Sequence, residues 1–427
     1  MLLTSVLILF FLLLLAGVPI YLVLSGLAAM VWLVEGDPLV SLGQQYANHL
    51  NSYTLVAVPL FVIAATFMQR GGVARALIDM ASAWVGRTRG ALGIVCILAT
   101  AVFAAISGSS VATALAIGAV LIPAMRDRGY PISFATGTIG AGGTLGILIP
   151  PSLAMLIYGI IVDESVPRLF LAGVVPGLIQ AALLIAYVRF FAVRNNLPVE
   201  DKLDRKQFIR ANVRAMPALL VPVIILGGIY SGLVTISEAA GLSAVVALIV
   251  SLLFYREIKL LDVLPILADG VRQTGVIIFI VLGALTFAHW LTGAGVTRVL
   301  VEFVESMDLS AWEFLIIANL IMFILGMFLE VISVILIFVP LIVPVILQLD
   351  IDPIHFGVIL VVNMEIALLT PPVGMNLFVL KSVANTGIEK VIKGMVPYII
   401  LMLFLLVFIT FVPAVSTWLP NLVFGAR

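Results

Sequence analysis

Charged residues are scarce in this 427-residue sequence. Asp, Glu, Lys and Arg together make up 10% of the chain and cancel to a net charge of zero, whereas soluble globular domains carry about 25%. No block of Lys or Arg offers a surface for nucleic acid, so we expect no nucleic-acid partner. Water is therefore not the main solvent of this chain.

Cysteine is almost absent as well. The single cysteine, Cys96, lies in an apolar run, which excludes a disulfide framework and a cysteine-based metal site. The sequence has no His-Glu-x-x-His motif and no Gly-x-Ser-x-Gly motif, the common signatures of zinc and serine hydrolases. An intramembrane enzyme is accordingly the least favoured class, and we expect that the protein is not an enzyme.

Apolar residues, in contrast, fill 63% of the chain. They fall in blocks of about 20 residues or more, the length that an α-helix needs to cross a hydrocarbon core of about 30 Å. Runs such as Val223 to Ile229 do not alternate in polarity, as the strands of a membrane barrel would. The sequence therefore predicts an all-α, multi-pass protein of the lipid bilayer, with Leu2 to Val23 in its first helix.

Polar segments divide the chain into four parts. The stretch Arg194 to Arg214 is rich in Lys and Arg, which predicts a cytoplasmic loop. Residues 35–52 contain neither, which predicts an outer loop. The expected parts are residues 1–52 with an N-terminal scaffold helix and the outer loop, 53–194 with a first repeat, 195–273 with a central basic loop and scaffold helices, and 274–427 with a second repeat ending in a C-terminal helix.

The first and second repeats share a pattern of breaks. When Pro123 is laid on Pro344, Pro150-Pro151 falls on Pro371-Pro372. The same alignment places Ser109 opposite Glu330, inside a long apolar segment. Each repeat therefore predicts a hairpin (about 90–125 and 311–348) followed by a helix that a Pro-Pro pair breaks (131–162 and 354–380).

Such breaks are costly inside a membrane. A Pro-Pro pair removes two N–H donors and leaves carbonyl groups without helical partners, which is tolerated only where the backbone is buried in protein or lines a polar cavity. Free carbonyls attract a cation, and the N–H groups at the start of a half-helix attract an anion. Matched broken helices in two repeats indicate the binding site of a secondary transporter.

Several motifs resemble those of one transporter family. The stretches Ser107 to Ala112, Ile122 to Met125, Gly143 to Ser152, Thr235 to Ala240 and Leu369 to Asn376 are similar to the large membrane subunit of TRAP (tripartite ATP-independent periplasmic) transporters. The resemblance covers essentially the whole chain. It implies a fold of two inverted repeats with re-entrant hairpins, in which a transport domain moves like an elevator against a scaffold.

The resemblance also implies a function. Members import organic acids such as C4-dicarboxylates or sialic acid with Na⁺, across the bacterial inner (cytoplasmic) membrane. Their partners are a small membrane subunit and a periplasmic substrate-binding protein. An alternative with the same sequence pattern is a divalent anion/Na⁺ symporter that works without a binding protein, and dependence on that protein separates the two.

Within this framework we assign candidate site residues. Hydroxyl groups and free carbonyls supply the oxygen ligands that a hard cation prefers, and the repeat predicts two such sites. The first cation site is predicted at Ser107, Ser109, Ser110, Gly146, Ile149 and Pro151. The second is predicted at Gly326, Thr370, Pro371, Gly374 and Asn376. The substrate is predicted to contact Ser109, Ser152, Thr370 and Asn376.

Two acids lie in apolar segments, where an ionisable group is expensive. Glu330 is at the second hairpin break and Glu365 precedes the second Pro-Pro pair. Each acid is predicted either to take part in ion coupling or to hold a tight turn as a hydrogen-bonded structural group, and the sequence leaves both possibilities open.

Overall fold

The computed structural model describes residues 2–36, 38–199 and 204–426. Their helices are, in chain order, α1 (Leu2–Leu15), α2 (Ile20–Glu35), α3 (Leu39–Leu50), α4 (Tyr53–Arg70), α5 (Val73–Val85), α6 (Ala91–Ser107), α7 (Ser110–Asp127), α8 (Ile132–Leu148), α9 (Leu153–Val162), α10 (Val166–Arg194), α11 (Arg205–Pro222), α12 (Gly228–Tyr230), α13 (Ile236–Ile249), α14 (Leu260–Gly293), α15 (Val296–Ser306), α16 (Ala311–Phe328), α17 (Val331–Gln348), α18 (Pro353–Ala367), α19 (Met375–Ala384), α20 (Ile388–Phe411) and α21 (Ala414–Phe424). Wider π-helical turns follow α11 (Val223–Gly227) and α13 (Val250–Tyr255).

Nine helices of the described residues are long and apolar enough to cross a membrane. The prediction of an all-α, multi-pass membrane protein is thereby confirmed. The broken helices and the hairpins account for most of the shorter apolar helices, among them α6, α18 and α19.

The N-terminal prediction is wrong in two respects. The run Leu2 to Val23 is not one helix, because Gly17 adopts a φ of +79° and Pro19 has no N–H donor, which together separate α1 from α2. The outer loop predicted at residues 35–52 contains helix α3. Its half-buried side chains recur on one helical face, including Leu42, Gln45 and His49, a spacing that the polar composition hides.

The centre and the C-terminus also contain more helix than expected. The basic stretch Arg194 to Arg214 was predicted as a loop, but its second part is helical. Helix α11 begins after Asp204, whose side chain forms a capping box with Gln207. Residues 200–203 of that stretch lie outside the described residues. The expected single C-terminal helix is divided into α20 and α21, with Pro413 between them.

The same series of elements occurs twice. Helices α4 to α10 and α14 to α20 each consist of a long helix, a short amphipathic helix, a two-helix hairpin, a helix broken at Pro-Pro and a final long helix. With Pro123 laid on Pro344, both hairpins break at the same aligned position, since α7 begins at Ser110 and α17 at Val331. The repeat read from the prolines is thus also a repeat of helices.

Packing separates the helices into two groups. The hairpins and broken helices pack on one another, with α8 against α6, α7 and α20, and α18 against α16, α10 and α20. Helices α2, α4, α13 and α14 form the other group, in which α4 packs against α13 and α14. The two groups meet where α4 contacts α6 and α9 and where α14 contacts α17.

Candidate functional site

The tip of the first hairpin rests on the first Pro-Pro break. A β-carbon added to Gly108 would lie 3.0 Å from the carbonyl oxygen of Pro151, and one added to Gly146 would lie 2.6 Å from the carbonyl oxygen of Ser109. Glycine at both positions therefore lets the hairpin backbone approach the broken helix. Three members of the predicted first cation site, namely Ser109, Gly146 and Pro151, are adjacent in consequence.

Buried hydroxyl groups surround this contact. The Thr113 hydroxyl donates to the carbonyl oxygen of Ser109 at 2.8 Å and lies 2.6 Å from the Ser107 hydroxyl. Ser107, Ser110 and Thr113 are almost fully buried. The hairpin tip thus gathers oxygen atoms of the type that hard cations prefer.

The second hairpin meets the second Pro-Pro break in a related way. Gly374, with a φ of +52°, donates its N–H to the carbonyl oxygen of Met327 at 3.1 Å. A β-carbon on Gly374 would lie 2.7 Å from the carbonyl oxygen of Thr370, and one on Gly326 would lie 2.7 Å from the β-carbon of Ala367. Gly326, Thr370 and Gly374 of the predicted second cation site are therefore neighbours.

One hydrogen bond joins the two predicted cation sites. The Asn376 side-chain amide donates to the Ser110 hydroxyl at 2.6 Å, and both residues are buried. Asn376 lies in the first turn of α19 and Ser110 in the first turn of α7, so the bond connects one repeat to the other.

A cavity of about 390 Å³ lies between the hairpins and the long helices α4 and α14. It is lined by Val62, Ala65, Gln69, Ser107, Gly108, Ser109, Ser110, Val111, Ala112, Leu115, Ile147, Leu153, Ala154, Gln273, Ile277, Glu330, Val331, Ile332, Leu368 and Met375. Its volume falls within the range of about 300–1,000 Å³ that is usual for small-molecule sites.

Four helices begin at this cavity. Its lining includes the first residues of α7, α9, α17 and α19, which are Ser110, Leu153, Val331 and Met375. The N-terminus of a helix has free N–H groups and a partial positive charge. Glu330 is the one ionisable residue among the described residues of the lining, so helix termini are the main source of positive potential there.

The predicted substrate contacts lie in different environments. Ser109 lines the cavity, as does Ser107 of the first cation site. The Ser152 hydroxyl is buried and donates to the carbonyl oxygen of Ile147 at 2.5 Å. Thr370 donates to the carbonyl oxygen of Ile366 at 2.7 Å, and Asn376 bonds to Ser110. The roles assigned to these residues stay predictions.

The remaining members of the predicted sites are less central. Ile149 is half-buried, and its side chain would contact a β-carbon placed on Gly177 of α10 at 2.9 Å. Pro371 is exposed. Only their backbone oxygens are relevant to a cation, and both residues lie in the breaks where such oxygens are released from the helix.

Three polar residues at the site were missed by the sequence analysis. Thr113 completes the hydroxyl cluster, and Gln69 of α4 and Gln273 of α14 line the cavity from the other helical group. An amide in a membrane helix is a signal in principle, since polar residues there pair across helices or line a cavity. The sequence does not show which of its amides face the same space.

The two acids occupy distinct positions. Glu330 precedes α17 at its N-cap position, makes no side-chain capping bond and lines the cavity. Glu365 is completely buried in α18, away from the cavity lining. Whether either acid takes part in ion coupling stays a prediction.

Two hairpins and two broken helices, arranged around a polar cavity between two helical groups, define the class of secondary membrane transporters. The sequence matches the family described as "Tripartite ATP-independent periplasmic transporter, DctM component" over residues 7–415. The chain therefore belongs to this family of TRAP transporter large permeases, as its motifs indicated, and it is a transporter subunit rather than an enzyme.

Curated relatives agree with this assignment. The chain is 42% identical to the C4-dicarboxylate TRAP transporter large permease protein DctM of Pseudomonas aeruginosa, with 93% of each chain covered. It is 40% identical to the protein of the same name from Vibrio cholerae, over 96% of this chain and 95% of the relative. It is 32% identical to the sialic acid TRAP transporter large permease protein SiaM of Vibrio cholerae, over 97% of each chain.

Two further comparisons concern architecture. The isethionate TRAP transporter permease protein DctMQ of Oleidesulfovibrio alaskensis is 37% identical, and this chain covers 64% of it. The crystal structure of the Alcanivorax borkumensis YdaH transporter superposes with a TM-score of 0.59 over 89% of this chain and 88% of the other, at 14% identity. The second likeness concerns the fold alone.

Proposed function

We propose that this chain is the large permease of a TRAP system that imports a C4-dicarboxylate by Na⁺ symport across the bacterial inner membrane. The substrate would be delivered by a periplasmic binding protein, and a small membrane subunit would complete the permease. The observation that carries the proposal is the convergence of four helix N-termini on one cavity.

The cavity suits an organic anion for two reasons. Four partial positive charges point toward it, and together they compensate for the absence of Arg and Lys from its described lining. Its serine hydroxyls and glutamine amides provide directional hydrogen bonds to carboxylate oxygens. A dianion needs such compensation more than a neutral solute does, because most of the residues that line the site are apolar.

Sodium coupling is proposed from the oxygen atoms beside the cavity. The Ser107 and Thr113 hydroxyls with the Ser109 and Pro151 carbonyl groups supply the first set, and the Thr370 carbonyl and hydroxyl belong to the second. A cation held there would lie next to the N-termini of α7 and α19 and would favour a carboxylate in the cavity. Substrate affinity would then rise with Na⁺ occupancy, which is thermodynamic coupling between the two fluxes.

The comparisons favour a dicarboxylate over sialic acid. Three relatives named for C4-dicarboxylates are 37–42% identical to this chain, and a relative named for sialic acid is 32% identical. The requirement for a small membrane subunit is proposed from the family. One relative, the isethionate TRAP transporter permease protein DctMQ of Oleidesulfovibrio alaskensis, is a longer permease of which this chain covers 64%. A movement of the hairpin group as a transport domain against α4 and α14 as a scaffold would carry the bound substrate across the membrane in the manner of an elevator.

The test is uptake of radiolabelled C4-dicarboxylate and of labelled sialic acid into proteoliposomes that contain this chain and its small partner. We expect dicarboxylate uptake that requires both an inward Na⁺ gradient and the binding protein. Uptake with Na⁺ alone would favour a symporter that works without a binding protein. Uptake driven equally well by K⁺ would contradict sodium coupling.

A further inference from the structure

Tyr230 connects the two helical groups at one end of the molecule. It lies in α12, which packs against α13. Its hydroxyl donates to the carbonyl oxygen of Pro167 in α10 at 3.1 Å, and its ring centre lies 6.4 Å from that of Phe424 in α21. Helix α10 packs against α21 and against α6, α8 and α18 of the hairpin group. The side chain of Tyr230 therefore reaches from the group of α4 and α13 to the hairpin group.

Both sides of this contact are held in place by further bonds. The Arg168 guanidinium group donates to the Phe424 carbonyl oxygen at 2.9 Å and lies 5.5 Å from the centre of the Phe424 ring, within the range of a cation–π interaction. On the other side, the Leu233 N–H donates to the Gly228 carbonyl oxygen at 3.2 Å, which closes the turn after Tyr230. The contact is thus made between ordered elements.

The contact lies at the outer end of the helices. Lys and Arg are retained on the cytoplasmic side of a membrane protein, and α10 ends at Arg194, the first residue of the basic stretch. Pro167 is the second residue of α10 and lies at its opposite end. The apolar span that contains α11 and α12 runs from Arg205, in the basic stretch, to Tyr230. Pro167 and Tyr230 are consequently both on the outer side.

The cavity, in contrast, extends toward the cytoplasmic side. Helix α4 follows residues 35–52, which contain no Lys or Arg, and it ends at Arg70. Gln69, which lines the cavity, is the last residue but one of this helix. A cavity that reaches the cytoplasmic end of the scaffold is the mark of an inward-facing state. The contact of Tyr230 on the outer side is therefore a contact of that state.

Movement of the hairpin group would break this contact. Pro167 and Phe424 belong to that group and would move with it, whereas Tyr230 would stay with the scaffold. The Tyr230 hydrogen bond is 3.1 Å long, and such a bond is lost at a separation of about 3.6 Å. It can therefore exist at one end of an elevator movement and not at the other.

We propose that Tyr230, through Pro167 and Phe424, is a latch that stabilises the inward-facing state. The proposal rests on the elevator movement of the proposed function, and it adds a residue that sets the balance between the two end states. A neutral hydrogen bond contributes a free energy that corresponds to about a two- to tenfold change in an equilibrium constant. Removal of the Tyr230 hydroxyl should therefore raise the outward-facing fraction by the same factor.

Thiol labelling of the resting permease tests the latch without substrate. Leu115 lines the cavity and is 48% exposed, so Leu115→Cys serves as the reporter in a Cys96→Ala chain, which is otherwise free of cysteine. A membrane-impermeant maleimide added to right-side-out vesicles reaches this thiol in the outward-facing state. We expect Tyr230→Phe to raise the rate of labelling from the outside about two- to tenfold. Equal rates with and without the Tyr230 hydroxyl would overturn the proposal.

Tyr255→Phe is the matched control. The Tyr255 hydroxyl also donates to a backbone carbonyl oxygen, that of Arg214 at 2.8 Å. Tyr255 ends the π-helical turn after α13, and Arg214 lies in α11, which packs against α13, so this bond does not join the scaffold to the hairpin group. The rate of labelling should stay at that of the parent. An equal rise in Tyr230→Phe and Tyr255→Phe would contradict a specific latch.

The outcomes separate the latch from the movement on which it rests. The labelling assay contains no organic acid, so an error in the proposed substrate does not affect it. Outer labelling that is detectable in the parent and unchanged in Tyr230→Phe would overturn the latch and leave the movement intact. Absence of outer labelling from both proteins would overturn the latch together with the elevator movement.

A cross-link across the contact gives a second test. Tyr230→Cys with Phe424→Cys, joined by a cleavable bifunctional thiol reagent, ties the scaffold to the hairpin group, so uptake should stop and should return after reduction. The control is Tyr21→Cys with Phe279→Cys, because the native rings are 6.5 Å apart on α2 and α14 of one group. Its cross-link should leave uptake unchanged. Uptake that continues when residues 230 and 424 are cross-linked would overturn the proposal.

Discussion

The two repeats have the same order of helices but different surroundings. Pro150, Pro151 and Ser152 of the first break are buried, whereas Pro371, Pro372 and Val373 of the second are exposed. The amphipathic helices differ in the same direction, because α5 has six buried residues and α15 has none. A shared fold therefore does not give the two breaks the same environment.

The amphipathic helices differ in the elements that cover them. Helix α11 packs against α5 of the first repeat, whereas α15 of the second repeat packs against α14 and α17. Because the first break is buried, the oxygen atoms of the first predicted cation site lie in a region of lower dielectric constant, where each electrostatic interaction is stronger. We expect the first repeat to be more sensitive to substitution than the second.

The largest effect is expected for Gly146→Ala. Its β-carbon would lie 2.6 Å from the Ser109 carbonyl oxygen, and this backbone cannot move without opening the hairpin tip. Uptake should fall to background, with a loss of folding stability of about 1–3 kcal/mol from overpacking. Uptake assays and thermal unfolding of the purified protein measure the two consequences.

Gly326→Ala is the comparison in the second predicted cation site, because the alignment places Ala367 rather than a glycine opposite Gly146. Its new β-carbon would lie 2.8 Å from the flexible end of Met364, which can move away, and 2.7 Å from the β-carbon of Ala367, which is fixed to its helix. A small shift between α16 and α18 is then needed, and part of the activity should remain. Gly275→Ala is the control, because nothing lies within 4 Å of its added β-carbon. Equal effects of Gly146→Ala and Gly326→Ala would remove the proposed difference between the repeats.

Smaller effects on uptake and stability are expected when one hydroxyl group is removed from each of the two predicted cation sites. Ser107→Ala removes a buried hydroxyl that lies 2.6 Å from the Thr113 hydroxyl, which keeps its bond to the Ser109 carbonyl oxygen, at a cost of about 0.5–1.5 kcal/mol. Thr370→Val removes a half-buried hydroxyl that donates only to its own helix, at about 0.5–1.5 kcal/mol. The Na⁺ concentration for half-maximal uptake should rise more for Ser107→Ala, and the reverse order would contradict the interpretation.

The sequence predicts the breaks well because their causes are local. Proline removes an N–H donor wherever it occurs, so Pro150-Pro151 and Pro371-Pro372 could be recognised without tertiary structure, and their equal spacing showed the repeat. The hydrogen bond between Ser110 and Asn376 could not be predicted, because it joins residues 266 positions apart. Its existence depends on how α7 and α19 pack, and packing is not encoded by any local pattern.

Contacts between buried residues of different helices could not be predicted from the sequence either. Thr144 and Glu365 are aligned in the repeat, but only the structure shows that they approach each other and Gln180. Helix α3 was missed for a different reason: its sequence is polar, and its helical spacing of half-buried residues is weak beside the apolar segments that flank it.

The bond between the repeats can be measured with a double-mutant cycle. Asn376→Ala and Ser110→Ala should each lower stability, and the double variant should lose less than the sum of the two. We expect a coupling energy within the usual range of about 0.5–3 kcal/mol for groups in direct contact. Additive effects in chemical or thermal unfolding would show that the 2.6 Å contact contributes nothing to the joining of the repeats.

The smallest effect is expected at the amphipathic helices. Asp79 of α5 forms an ion pair with Arg214 at 3.6 Å, in which both side chains are nearly half exposed. Such a pair contributes less than about 1 kcal/mol, so Asp79→Asn should change stability little. In α15 Glu305 accepts a hydrogen bond from Gln348, and Glu305→Gln should have no larger effect.

Asp79 also leads to a prediction for the pH dependence of stability. Burial raises the pKa of Asp79, although Arg214 and Arg75 act in the opposite direction. An acid whose pKa is raised by folding stabilises the fold fully below its ordinary pKa of about 3.9, and this contribution is lost as the pH rises through the raised pKa. Unfolding of the wild type at a series of pH values should therefore show a slight decline in stability that Asp79→Asn removes. A decline that persists in Asp79→Asn would assign the titration to another group and would leave α5 and α15 electrostatically alike.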